Sequence, residues 1–155
     1  METKVCGVCQ EEKPTDDFYK FKDSRNKNGK GIYLKYLCKE CDKKNGLKQK
    51  TKSRQRKREF LWEYKKTHPC VDCSESNPIV LQFDHVRGDK HMNITEMSSG
   101  GHSLRKLQEE IKKCVVRCAN CHLRKTAKDQ NWYEVEMTKE GCTVDEWNQK
   151  FLEQP

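Results

Sequence analysis

Cys70-Val71-Asp72-Cys73, Leu81-Gln82-Phe83-Asp84-His85 and Cys118-Ala119-Asn120-Cys121-His122 decide the fold. The two C-x-x-C pairs are 44 residues apart and offer four thiolates, the ligand set of a closed tetrahedral zinc site. Such a metal staples the start of this segment to its end. It carries a strand end, Asp84-His85, to the start of a helix that holds His122. A carboxylate and two imidazoles then meet. Oxygen and imidazole ligands with positions left for water suit Mg²⁺, Mn²⁺ or a catalytic Zn²⁺. Side chains alternate along a strand, so of two adjacent residues one can bind metal while its neighbour acts as base. Asp84 and His122 are therefore the expected ligands of a catalytic divalent ion, and His85 the expected general base.

Outward from this segment, the 155-residue chain is poor in apolar residues (33%) and rich in charge (36%). Typical soluble domains carry about 25% charge. A core this thin offsets the entropy of folding poorly, so something besides burial must hold the fold. Ten cysteines supply it, eight of them in four C-x-x-C pairs. Cys6, Cys9, Cys38 and Cys41 make a second four-thiolate set, its pairs 28 residues apart. Two structural Zn²⁺ ions are thus expected. The N-terminus has no apolar signal core and no stretch is long enough to span a membrane, which points to a reducing, cytoplasmic setting.

Charge is spread unevenly. From Lys20 to Pro69 there are eighteen Lys and Arg against five Asp and Glu, whereas from Asp129 to Pro155 there are two against seven. The basic stretch favours a polyanion, and DNA is the leading candidate because no apolar helical face pairs with it to suit a membrane. Lys48, Lys50, Lys52, Arg54, Arg56, Lys57 and Arg58 are the expected backbone-phosphate contacts, with Lys125 beside the candidate site.

These patterns predict an α+β chain in four parts: a four-cysteine zinc module (1–44), a basic helix (45–68, its pattern running over 43–66), a zinc-stapled core (69–128) and an acidic extension (129–155). Phe60, Leu61 and Tyr64 fall at helical spacing and should dock on the zinc-stapled core. In that core, the reading is a strand over 79–83 leading into Asp84-His85, a glycine-bearing loop, a helix over 103–113 capped by Ser103, a strand over 114–117, and helix through Lys128. A turn is expected at 26–31. In the extension, alternation at Tyr133, Val135 and Met137 suggests a strand, and Thr143-x-x-Glu146 a capping box for a helix with Val144, Trp147 and Phe151 on one side. No repeat of useful length is visible.

The run Cys70-Val-Asp-Cys73, Leu81-Gln-Phe-Asp84-His85, Glu110-Ile-Lys-Lys-Cys114, Cys118-Ala-Asn-Cys121-His122-x-x-Lys125-Thr126 resembles an HNH endonuclease with its ββα-metal core. The N-terminal zinc module is similar to those attached to phage HNH and recombination endonucleases. The resemblance implies DNA phosphodiester hydrolysis leaving a 5′-phosphate, with Asp84 and His122 on the metal and His85 as base. It also implies a bacterial or phage-infected cytoplasm. Three roles are open to the acidic segment 129–155: capping the nuclease, forming a homodimer, or contacting a phage protein partner. Two positions depart from the family. Lys113-Cys114 stands where the middle Asn belongs, leaving Asn120 for its orienting role, and Thr126 stands where a third metal ligand is usual. The alternative is a zinc-dependent nucleic-acid binder without catalysis, such as a phage regulator or packaging accessory.

Overall fold

The structure, a computed structural model, describes residues 2–22, 32–132, 141–143, 145, 146 and 149. Among these the architecture is small and mixed α+β, with three separate two-stranded antiparallel sheets. The chain divides into two compact units, Met1–Gln55 and Arg56–Pro155.

In the first unit, β1 (Thr3–Val5) pairs with β2 (Glu12–Pro14), and the Cys6–Cys9 knuckle forms the connection. A 3-10 turn (Thr15–Asp17) leads into β3 (Phe18–Lys22), which pairs with β4 (Ile32–Cys38). Helix α1 (Lys39–Thr67) begins directly after Cys38, four residues before the start read from the sequence. Phe18, Cys6 and Cys38 are buried together, with Leu34, Cys9 and Cys41 against them. The Tyr36 ring lies on Gly7, where a Cβ would come within 1.7 Å of ring carbon, and its hydroxyl donates to Gly7 O at 3.0 Å. Only glycine admits that approach. The turn expected at 26–31 lies outside the described residues.

The second unit contains the end of α1, then β5 (Leu81–His85), α2 (Ile94–Ser99), α3 (Leu104–Ile111), β6 (Cys114–Cys118) and α4 (Ala119–Asp129). β5 and β6 are antiparallel, with Leu81 opposite Cys118 and His85 opposite Cys114. By alternation, Gln82, Asp84, Val115 and Arg117 share one face, while Leu81, Phe83, His85, Cys114 and Val116 share the other. Leu81 and Val116 are buried among Cys70, Cys118 and Cys121, and Ile94, Met97, Leu107, Ile111 and Cys114 form an adjoining cluster. Phe60, Leu61 and Tyr64 pack on the latter, as their spacing predicts. Ser103 caps α3, its side chain accepting from Lys106 N at 3.3 Å.

Three readings need correction. The strand starts at Leu81 rather than 79, because Asn77 accepts the amides of Ile79 (3.1 Å) and Val80 (3.2 Å) and prolongs the turn. Asp84 and His85 are in consequence its last two residues. The glycine-bearing loop hides a short helix, α2, whose Ile94 and Met97 lie one turn apart and are both buried. Lys57 is not a phosphate contact. It is 1% exposed, and its ammonium donates to the carbonyls of Met97 (3.0 Å), Gly100 (2.8 Å) and His102 (3.2 Å). A cation there satisfies carbonyls left over at the end of α2. Lys48, Lys50, Lys52, Arg54, Arg56 and Arg58 are exposed.

In the extension, Thr143 N donates to Glu146 Oε2 (2.7 Å) and Glu146 N to Thr143 Oγ1 (3.2 Å), a reciprocal capping box. The strand read around 133–137 and the apolar side formed by Val144, Trp147 and Phe151 lie outside the described residues.

Lys57→Ala strands three carbonyls, and losing partners for buried polar groups costs about 1–3 kcal/mol each where water cannot replace them. Urea unfolding of the zinc-loaded protein should show a loss of at least about 2 kcal/mol. Lys52→Ala, on the exposed side of the same helix, should stay within about 0.5 kcal/mol of wild type.

Candidate functional site

The thiols of Cys6, Cys9, Cys38 and Cys41 lie within 4.8 Å of one another, and so do those of Cys70, Cys73, Cys118 and Cys121. Both clusters could hold zinc. Zn–S bonds of about 2.3 Å set tetrahedral sulfurs about 3.8 Å apart, and Cys73 Sγ is 3.7 Å from Cys118 Sγ. The clusters are built alike. Each first knuckle closes with a bond from the residue after its second cysteine, Gln10 N to Cys6 O and Ser74 N to Cys70 O, both 2.9 Å. Gln10 and Ser74 each take a left-handed backbone, at φ 60° and 61°. Each second pair straddles a strand end and a helix start, with Cys41 N donating to Cys38 Sγ and Cys121 N to Cys118 Sγ, both at 3.4 Å. Knuckle, hairpin and helix thus recur in both units, although the sequence shows no repeat. The 28- and 44-residue gaps differ because α2 and α3 are inserted in the second.

Backbone amides facing the sulfurs favour thiolate. The amides of Cys38, then Cys9, pull Cys6 down to about 6 from the usual 9.0. Burial works against ionisation at Cys70, but the amides of Cys118, Asp72 and Cys73 outweigh it and bring the thiol to about 7. Sharing with Cys38 pushes Cys41 up to about 12, so some protons must leave when a metal enters.

Beside the second cluster, α4 lays His122 against the Asp84 face of β5. His122 Nε2 is 3.5 Å from Asp84 Oδ1, and its Nδ1 is 2.8 Å from Gln82 Oε1. The amide oxygen can only accept, so Nδ1 carries a hydrogen and Nε2 is the nitrogen turned toward the carboxylate. An imidazole fixed in this way through its far nitrogen is the usual support of a metal-ligating histidine. Oxygen from Asp84 and nitrogen from His122 fit a divalent cation with positions left for water. The other Asp84 oxygen is paired with Arg117 Nη1, and Lys125 Nζ lies 4.0 Å from it. Arg117 also grips Asp72 inside the knuckle, its Nε donating at 2.7 Å. Asp72, Arg117 and Asp84 thereby connect the four-sulfur cluster to the candidate ligand.

His85 points from the opposite face. Its Nε2 is 3.0 Å from Glu110 Oε1 on α3. Glu110 is 4% exposed; Oε1 also accepts His91 N at 2.9 Å, and Oε2 pairs with Lys113 Nζ at 2.9 Å. Burial resists ionisation of Glu110, but Lys113, the His91 amide and His85 overcome it and hold the carboxyl down at about 2 instead of 4.5. An ionised Glu110 can only accept, so Nε2 donates to it, and Nδ1 is the ring nitrogen not engaged by Glu110. The described residues place Glu110, and not Asn120, against the His85 ring. Asn120 is exposed on the first turn of α4, and its side chain makes no hydrogen bond among the described residues. Thr126 donates to His122 O at 2.9 Å within α4.

Despite facing opposite ways, Asp84 and His85 line one cleft of about 610 Å³, together with Gln82, His122, Lys65 and Lys90. The sequence reading missed Glu110, Gln82 and Arg117 as members of the site. Gln82 was within reach, since it stands two residues before Asp84 and so shares its face. Arg117 becomes visible only through the register that pairs it with Gln82.

No helix among the described residues is long and apolar enough to cross a membrane. Comparison with protein-family models, curated proteins and solved structures finds no match.

A depressed carboxyl stabilises the fold above its ordinary range and loses that contribution as pH falls toward its folded value. The unfolding free-energy advantage of wild type over Glu110→Gln should therefore be constant above about pH 4.5 and shrink toward about pH 2. An advantage that does not vary with pH would contradict the ionised Glu110.

Proposed function

We propose that this chain is a metal-dependent DNA endonuclease of the HNH kind, its two four-cysteine clusters loaded with structural zinc. One observation carries the reading. Asp84 and His122 offer oxygen and nitrogen 3.5 Å apart, beside a cleft that His85 also lines with a carboxylate behind it. A divalent cation held by Asp84 and His122, Mg²⁺ or Mn²⁺ or else Zn²⁺, would stabilise the charge that builds on phosphate and leaving oxygen. Gln82 keeps His122 Nε2 turned toward Asp84. His85 Nδ1 takes the proton of the attacking water while Glu110 holds the ring and steadies the imidazolium that forms. Exposed Lys48, Lys50, Lys52, Arg54, Arg56 and Arg58 contact backbone phosphates and position the duplex. The setting is the cytoplasm of a bacterium or of a phage-infected cell.

A second reading rests on the Asp84–Arg117 pair. A carboxylate already neutralised by arginine is a poorer metal ligand, which would suit a zinc-dependent nucleic-acid binder without catalysis.

Supercoiled-plasmid cleavage with Mg²⁺, Mn²⁺ or Zn²⁺ separates the two. Wild type should cut, and His85→Ala should cut roughly 10²–10⁴-fold more slowly, with zinc per chain equal in both. Equal cleavage by both proteins would contradict the role of His85. DNA binding without cleavage in either would favour the second reading.

A further inference from the structure

The β3–β4 hairpin of the first unit has an inner and an outer face. Phe18 and Leu34 turn inward onto the cluster of Cys6 and Cys38. On the outer face, Phe21 stands opposite Tyr33 across the strands, and Tyr19 precedes Phe21 by two positions. These three rings are 47% (Tyr19), 51% (Phe21) and 55% (Tyr33) exposed, in a unit with very little core to spare. Single exposed aromatics are ordinary on a protein surface, but three adjacent on one sheet face make a patch. Cross-strand partners such as Phe21 and Tyr33 have Cβ atoms about 5 Å apart, and Tyr19 sits at a register irregularity between Phe18 and Lys20 on the same strand.

The patch is framed by cations. Lys35 Nζ lies 5.9 Å from the centre of the Phe21 ring, and Lys39 Nζ 5.8 Å from that of Tyr19. Asp42 also pairs with Lys35 at 2.7 Å, which anchors its ammonium at the edge of the patch. Lys39 makes no ion pair among the described residues. From Phe18 to Cys38 the sequence holds six Lys and Arg against one Asp. Charge complementarity therefore selects a polyanion, and exposed π-faces select one that carries flat, stackable groups. Duplex DNA hides its base faces, whereas a single strand offers them.

We propose that the outer face of the β3–β4 hairpin binds single-stranded nucleic acid, stacking unpaired bases on Tyr19, Phe21 and Tyr33 while Lys35 and Lys39 meet the adjoining phosphates. The first unit keeps the knuckle–hairpin–helix plan of the second but not its Asp84, His85 and His122 set, and so serves as a holding module. This site is separate from the nuclease cleft and does not depend on the nuclease reading.

The test uses the full-length zinc-loaded chain and three fluorescent probes: a mixed-sequence single-stranded 12-mer, an abasic 12-mer of equal charge, and a 20-bp duplex. Stacking predicts that the abasic strand binds at least tenfold more weakly than the base-bearing one. Phe21→Ala and Tyr33→Ala should each weaken the base-bearing strand by roughly 5- to 150-fold, from about 1–3 kcal/mol per stacked base. Tyr33→Phe should restore binding to within twofold, because the ring and not the hydroxyl carries the contact. Duplex affinity and two zincs per chain should be unchanged in every variant. Equal binding of the abasic and base-bearing strands would overturn the proposal, as would variants that discriminate between them as wild type does. Binding to phosphatidylserine vesicles or self-association through Phe21 and Tyr33, without loss of single-strand affinity in the variants, would also overturn it.

Discussion

Four sulfurs held within 4.8 Å by chain segments 44 residues apart are the constraint on which the second unit depends. The cluster fixes more than its own cysteines. Around it Val71 N donates to Val116 O at 3.0 Å and Ala119 N to Val80 O at 2.9 Å, binding the knuckle to β6 and α4 to the turn that enters β5. Arg117 then reaches from the strand end to Asp72 on one side and Asp84 on the other. The placement of Asp84 beside His122 follows from this network, in a unit whose apolar clusters are too small to impose it alone. Structural zinc contributes folding free energy directly, on the order of 10 kcal/mol in small domains. With zinc bound, as proposed, the cluster would substitute for the core that the composition denies.

The same construction is used twice with different outcomes. Four residues after the first cysteine of each helix-starting pair stand Asp42 and His122. Asp42 turns to Lys35 and makes an ion pair, whereas His122 turns to Asp84 and Gln82. One helix position thus serves the surface in the first unit and the cleft in the second. A scaffold held by metal and backbone amides tolerates this freedom, since few of its side chains are committed to packing.

Much of this was legible in the sequence because cysteine spacing and helical periodicity are local signals. The four C-x-x-C pairs, the docking face of Phe60, Leu61 and Tyr64, the Ser103 cap and the juxtaposition of Asp84 with His122 follow from spacing alone. The features that escaped depend on contacts distant along the chain. Lys57 sits in a run of identical charges, and only the end of α2, 40 residues further on, removes it from solvent. Glu110 is 25 residues from His85 and looks like any surface acid of an amphipathic helix until the fold buries it. Asn77 extended a turn into a stretch that looked like strand, shifting β5 by two residues. The shared plan of the two units was invisible because it resides in backbone hydrogen bonds and in two left-handed residues, Gln10 and Ser74, that have no residue type in common.

The proposed nuclease chemistry requires a third metal site, with Asp84 and His122 as ligands, apart from the two sulfur clusters. The most direct test is titration of the two-zinc protein with Mn²⁺, followed by electron paramagnetic resonance. One Mn²⁺ should bind per chain in wild type, and His122→Ala and Asp84→Ala should each abolish it while retaining both zincs. Absence of bound Mn²⁺ in wild type, or binding unchanged in the two variants, would contradict the account.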